Sequence, residues 1–100
     1  MTVEIKIEGN AVNATLVGRL DTAAAVQFAR DMEPLLDNAD KDITLDCTGL
    51  EFISSSGLRH LLTLRKATIA KGGRVIITGV SNDIKQVFTI TGFYSLFDFA

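Results

Sequence analysis

Apolar and polar residues alternate from the start of the chain. Val3, Ile5 and Ile7 are separated by Glu4, Lys6 and Glu8, the period of two expected of a strand with one covered face. Gly9-Asn10 marks a turn, after which Val12, Ala14 and Leu16 resume the alternation. Together they predict a β-hairpin, closed by Gly18. Asp21 or Thr22 then offers a helix N-cap. Ala25, Phe28, Ala29, Met32, Leu35, Leu36 and Ala39 follow at helical spacing as one apolar stripe. Pro34 falls inside that stripe. It lacks an N–H and crowds the preceding turn, so it predicts a kink or a helix that ends near Glu33 and resumes.

Beyond a polar connector at 37–41, Ile43, Leu45 and Cys47 alternate with Thr44 and Asp46 as a third strand. Residues 48–53 break the alternation and read as a loop with buried anchors among Leu50, Phe52 and Ile53. A second helix carries Leu58, Leu61, Leu62 and Ile69 inward and ends at Gly72-Gly73. Val75-Ile76-Ile77 is a continuous apolar run, the pattern of a strand buried on both faces. Ser81 caps a third helix whose inner face is Ile84, Val87 and Phe88, stopped by Gly92, and residues 96–99 form a last short strand. The order ββαβαβαβ predicts an α/β fold. Its small mixed sheet has parallel pairings made by right-handed crossovers and helices mainly on one face.

Composition narrows the functional classes. One hundred residues, 47% hydrophobic and 22% charged, suit one domain over 1–100. Ten Lys+Arg against twelve Asp+Glu leave a net charge of −2 and no basic footprint for nucleic acid. A single cysteine, Cys47, allows no internal disulfide and fits a cytoplasmic protein, with the thiol on the inward phase of its strand. The start of the chain lacks a signal-peptide pattern, and no apolar run reaches the ~20 residues that would insert in a membrane. One histidine and one cysteine give no metal-ligand spacing, and no phosphate-cradling glycine motif is present, so no metal and no cofactor is expected. Lys71-Gly72-Gly73-Arg74 ends a helix rather than starting one.

Candidate chemistry concentrates at Ser54-Ser55-Ser56-Gly57, where a strand and loop deliver three hydroxyls to a helix N-terminus, an end with free N–H groups and partial positive charge. One cap needs one serine, so at least one hydroxyl is left without a structural duty. His60 lies four residues after Ser56, which raises a minimal hydrolase using Ser55 or Ser56, with Asp21 or Asp46 as a third partner. A nucleophile elbow wants glycine two positions before the serine as well as two after, and Ile53 stands there.

Three segments resemble the STAS domain family, the sulfate-transporter and anti-sigma-factor-antagonist fold, in its small free-standing antagonist form. Gly18-Arg19-Leu20-Asp21 is similar to the family's Gly-x-Leu-Asp turn. Residues 46–57 resemble its strand, aromatic anchor and serine turn, and Lys71-Gly72-Gly73-Arg74-Val75 its helix end and following strand. The resemblance covers nearly the whole chain, although the family's helix after the last strand is missing or very short. It implies an anti-sigma factor antagonist that binds an anti-sigma factor of the serine-kinase type, frees a sigma factor and so regulates transcription indirectly. That partner binds the ATP, phosphorylates the antagonist, and a phosphoserine phosphatase restores it. Matched residue by residue, the phosphoacceptor is Ser55. The docking surface comprises Asp21, Thr22, Ser54, Ser56, Gly57, Arg59 and Thr63. Many relatives carry Asp where this chain has Ser54. The resemblance also accommodates a regulatory subunit of a transporter or stress-sensing assembly, without phosphorylation.

Overall fold

The computed structural model describes residues 1–100. Strands β1 (Thr2–Glu8) and β2 (Ala11–Leu20) form the N-terminal hairpin; helices α1 (Thr22–Asp31) and α2 (Glu33–Asp37) lead to strand β3 (Asp42–Ile53). Helix α3 (Ser55–Lys71), strand β4 (Arg74–Thr78), helix α4 (Asn82–Ile90), a 3-10 turn at Tyr94–Leu96 and strand β5 (Asp98–Phe99) complete the chain. The helical stripe breaks at Met32, and Pro34 enters near the start of α2, where its missing N–H costs nothing.

The five strands lie side by side in sequence order, β1 antiparallel to β2 and every later neighbour parallel. Each crossover therefore steps the same way across the sheet. Crossovers of one hand that step in one direction all fall on one face. Burial follows that geometry: Val12, Ala14, Leu16, Ile43, Leu45, Val75 and Ile77 are buried under the helices in a single cluster of 21 residues. The opposite face, with Glu4, Asn13, Asp42 and Arg74, is open to solvent. For the same reason β4 is not buried on both faces: Ile76, on the uncovered side, is only half-buried.

Two further expectations are corrected. Residues 48–53 are strand rather than loop, since β3 continues beside β2 as far as Ile53. Two extra residues on β3 interrupt the ladder, one between Asp46 and Gly49 and one between Leu50 and Phe52, and each resets which face a residue occupies. Ile69 does not face the core. It is 61% exposed, and Leu64 and Thr68 take the buried row of α3 with Leu58 and Leu61. Thr68 is accommodated there because its hydroxyl donates to the Arg65 carbonyl at 2.8 Å.

Candidate functional site at the start of the third helix

The parallel strands β2 and β3 end together, Leu20 beside Ile53, and each turns into a helix through one residue. Asp21 makes the first turn. Its carboxylate accepts the Ala24 N–H at 2.8 Å and caps α1. Ser54 makes the second. Its hydroxyl accepts the Gly57 N–H at 3.2 Å, and its own N–H donates to the Leu20 carbonyl at 2.8 Å, tying the two strand ends together. Two helix N-termini thus open side by side at the carboxyl edge of the sheet, where α/β folds place their binding surfaces.

Each serine meets a different environment there. Ser54, half-buried, carries the cap. Ser55, the first helical residue, is exposed, and Ser56 is half-buried. The N–H groups of Ser55 and Ser56 precede the first intrahelical bond and point out of the helix end. No acidic residue lies in the first turn of α3, so the helix supplies no charge of its own to answer its positive end. Gly57 is buried because α3 presses onto the strand ends; a Cβ at this position would stand 2.7 Å from Leu20 Cγ and 3.1 Å from Ile53 Cγ1. Glycine is therefore a packing requirement, and it seats the serines beside α1.

The remaining expected residues spread away from this point. Thr22 is exposed at the first position of α1. Arg59 is exposed one turn after Ser55 on α3. Thr63 is exposed a further turn on, about 12 Å along the axis from Ser55, with its hydroxyl donating to the Arg59 carbonyl at 3.0 Å. Asp21, Thr22 and Ser54–Ser56 form the rim at the two adjoining helix starts, with Arg59 next to it and Thr63 at its periphery; Gly57, expected on the docking surface, is buried beneath it.

Arg19 and Phe52 were missed as members of this rim. They pair across β2 and β3 one position before the last strand pair, Leu20 and Ile53, and the Arg19 guanidinium lies 4.6 Å over the Phe52 ring. Phe52 is 37% exposed rather than a buried anchor. The extra residue between Leu50 and Phe52 turns Phe52 outward, where simple alternation from Leu50 would have placed it inward.

The arrangement does not assemble a hydrolytic triad. His60 packs edge-on against Phe28, ring centroids 6.1 Å apart, in the seam between α1 and α3. Asp21 is committed to its cap, and Asp46 lies far up β3 beside Thr15. Asp46 accepts the Thr48 hydroxyl at 2.7 Å and the Thr48 N–H at 3.0 Å, and these bonds hold its carboxyl below the usual aspartate value. Cys47 is buried. Burial, with the nearby Asp46 charge adding to it, pushes its thiol up to about 12. No group of three or more His, Cys, Asp or Glu residues is placed to hold a metal ion, and no helix is long and apolar enough to cross a membrane.

Known proteins share this plan. The chain is 32% identical over 95 residues to BtrV, a candidate anti-sigma factor antagonist of Bordetella bronchiseptica, covering 95% of this chain and 81% of that protein. In fold it is similar to a candidate anti-sigma factor antagonist from Thermotoga maritima, with TM-score 0.85, 19% identity and 97% and 84% of the two chains covered. It is also similar to the anti-sigma factor antagonist SpoIIAA, 23% identical in each of two solved forms. The TM-score is 0.70 to the unphosphorylated form (89% and 83% covered) and 0.72 to the phosphorylated Bacillus form (99% and 91% covered). The STAS domain model matches residues 2–100, and the chain, folded as five strands with its helices on one face, belongs to the STAS domain family.

Proposed function

We propose that this chain is an anti-sigma factor antagonist, a single domain acting in the cytoplasm as a binding module rather than an enzyme. Its docking surface is the rim of Asp21, Thr22, Ser54, Ser56, Arg59 and Thr63, seated by the buried Gly57 rather than including it, and its partner is an anti-sigma factor that is also a serine kinase. Complex formation frees the sigma factor. The partner then transfers the γ-phosphoryl group of its ATP to Ser55 Oγ, releasing ADP and the hydroxyl proton, and a phosphatase reverses the step by hydrolysis.

The observation that carries this reading is the division of labour among the serines: Ser54 is spent on the cap while Ser55 is exposed one residue later. A phosphate on Ser55 brings about −1.5 to −2 charges and three acceptor oxygens. The N–H groups of the first turn and the unneutralised helix end receive that charge favourably, so the fold tolerates it. The solved phosphorylated and unphosphorylated forms of SpoIIAA are in keeping with a fold that keeps its shape in both states. The docked partner does not tolerate it, because a dianion in the interface must be desolvated or faces acidic groups. A loss of about 3 kcal/mol is about a hundredfold in affinity, enough to turn a complex off.

Incubating the chain with its kinase partner and Mg-ATP, followed by intact-mass measurement, tests the reading. One added phosphoryl group is expected, absent in Ser55→Ala. Ser55→Asp should bind the partner about a hundredfold more weakly than the unmodified chain. A phosphoryl group that persists in Ser55→Ala would move the acceptor elsewhere. A chain that neither binds nor is modified would remove the assignment.

A further inference from the structure

We propose that the free edge of β1 pairs with the same edge of a second copy, joining two sheets into one. The two edges of the sheet differ sharply. β5 is only two residues long, and Ala100, just beyond it, donates its N–H back to Ile77, so that edge offers almost no template. β1 is seven residues long and pairs with β2 without a register shift. It contains no proline, and no bulge turns it away from its neighbour. Its outer edge therefore presents a straight row of unpaired N–H and C=O groups, the feature on which strand addition depends. Its inward row is also undercovered. Val3 and Ile5 are half-buried, and Ile7, opposite the buried Val12, is 48% exposed.

The side chains choose the partner. Antiparallel pairing about a two-fold axis places residues of one face opposite residues of the same face. Centred on Ile5, it aligns all seven residues of each strand. Glu4 then faces Lys6 of the second copy, Lys6 faces its Glu4, and Ile7 covers its Val3. Centring on Glu4 or on Lys6 instead sets that residue against its own twin, a like-charge contact. The pattern Val-Glu-Ile-Lys-Ile is thus complementary to itself in the register that also pairs the most backbone. The helices of both copies fall on one face of the joined sheet. The axis reverses β2 and β3 of the second copy, so the two serine rims lie at opposite edges of that sheet, and both stay open. The interface is a single strand wide, so the association is expected to be weak and concentration-dependent.

Sedimentation or light scattering of the full chain from about 10 μM to about 1 mM tests this. The expected mass rises with concentration from 10.8 kDa toward twice that value. Lys6→Glu sets carboxylates opposite each other and should weaken association about tenfold. Glu4→Lys combined with Lys6→Glu reverses the pattern but keeps it self-complementary, so the double variant should recover the original association. Both variants change exposed residues, and a melting curve confirms that each monomer is folded. A constant monomer mass through the range, a Lys6→Glu variant that associates unchanged, or a double variant as weak as the single one would overturn the proposal.

Discussion

Helices α3 and α4 begin with the same cap and are nevertheless built for different ends. Ser54 and Ser81 each accept the N–H three residues on at 3.2 Å, from Gly57 and Ile84 respectively. There the likeness stops. α4 leaves its strand through residues 79–81, carries Asp83 in its first turn and plants Ile84 in the core. α3 leaves β3 through Ser54 alone, has no acidic residue in its first turn and replaces the core side chain with glycine. The charge at the start of α4 is already answered, and that helix is anchored by its own side chain. The start of α3 is unanswered and is pulled down onto the sheet, with a free hydroxyl beside it. Capping is thus common to both helices; what sets α3 apart is close seating together with an unneutralised helix end.

The largest expected effect comes from exchanging the anchors. Gly57→Val forces a branched side chain against Leu20 and Ile53 and should cost about 2–3 kcal/mol, lowering the melting temperature by about 10–20 °C. At α4 the opposite change is harmful: Ile84→Ala opens a cavity and should cost about 2–4 kcal/mol. Thermal unfolding of both variants reads the contrast. A Gly57→Val protein that melts like the parent would mean that α3 is not pressed onto the strand ends. Next come the caps. Ser54→Ala should cost about 1–2 kcal/mol and Ser81→Ala only about 0.5–1, because Asp83 continues to answer the start of α4. Equal losses in denaturant titrations would break the electrostatic half of the comparison.

The strands that lead into these helices also differ, and here the sequence was least readable. In β4 the inward residues Val75 and Ile77 keep strict alternation into the turn. In β3 the inward steps are two from Ile43 to Leu45 to Cys47, then three to Leu50 and three to Ile53. Each step of three is an extra residue in the ladder, and an alternation rule reads such steps as loop. Cap residues, by contrast, act over three positions and need little tertiary context, so Ser81 was legible directly, Asp21 as one of a pair with Thr22, and the α3 cap as one of three serines, which the fold resolves to Ser54. Ile69 is apolar yet lies beside the covered side of α3, which Leu64 and Thr68 occupy; angular position on the helix, not hydrophobicity, decides burial there. The Arg19–Phe52 contact requires the register of two strands already displaced by bulges, which no local pattern carries.

The first of those bulges has a pH signature that β4 lacks. Asp46 holds the Thr48 N–H and hydroxyl across it, and its carboxyl titrates below the usual aspartate value in the folded chain. The unfolded chain therefore binds the proton more readily. The stabilisation is present above the ordinary aspartate value and is lost as pH falls through the lowered one. The group is close to solvent, so the increment is small. Asp46→Asn keeps an acceptor for Thr48 while removing the charge, and it should flatten that part of the acid limb in stability curves measured against pH. An unchanged limb would show that the clasp does not depend on ionisation.

The smallest effect is the most discriminating, because it isolates charge from packing. Ser55 and Asn82 hold the same first helical position and both are exposed. A single carboxylate placed there meets the same backbone N–H groups in either helix. At α3 no other acid shares the first turn, and the nearby Asp21 carboxylate is bound to the Ala24 N–H of the adjoining helix, so Ser55→Asp should stabilise the fold by about 0.3–1 kcal/mol at low ionic strength. At α4 it lands beside Asp83, and Asn82→Asp should gain about half of that or less, since like charges share one helix end. Added salt should shrink the difference, because both sites face solvent. If Asn82→Asp stabilised as much as Ser55→Asp, the first turn of α3 would hold no special place for an anion. Tolerance of phosphate at Ser55 would then rest on solvent exposure alone.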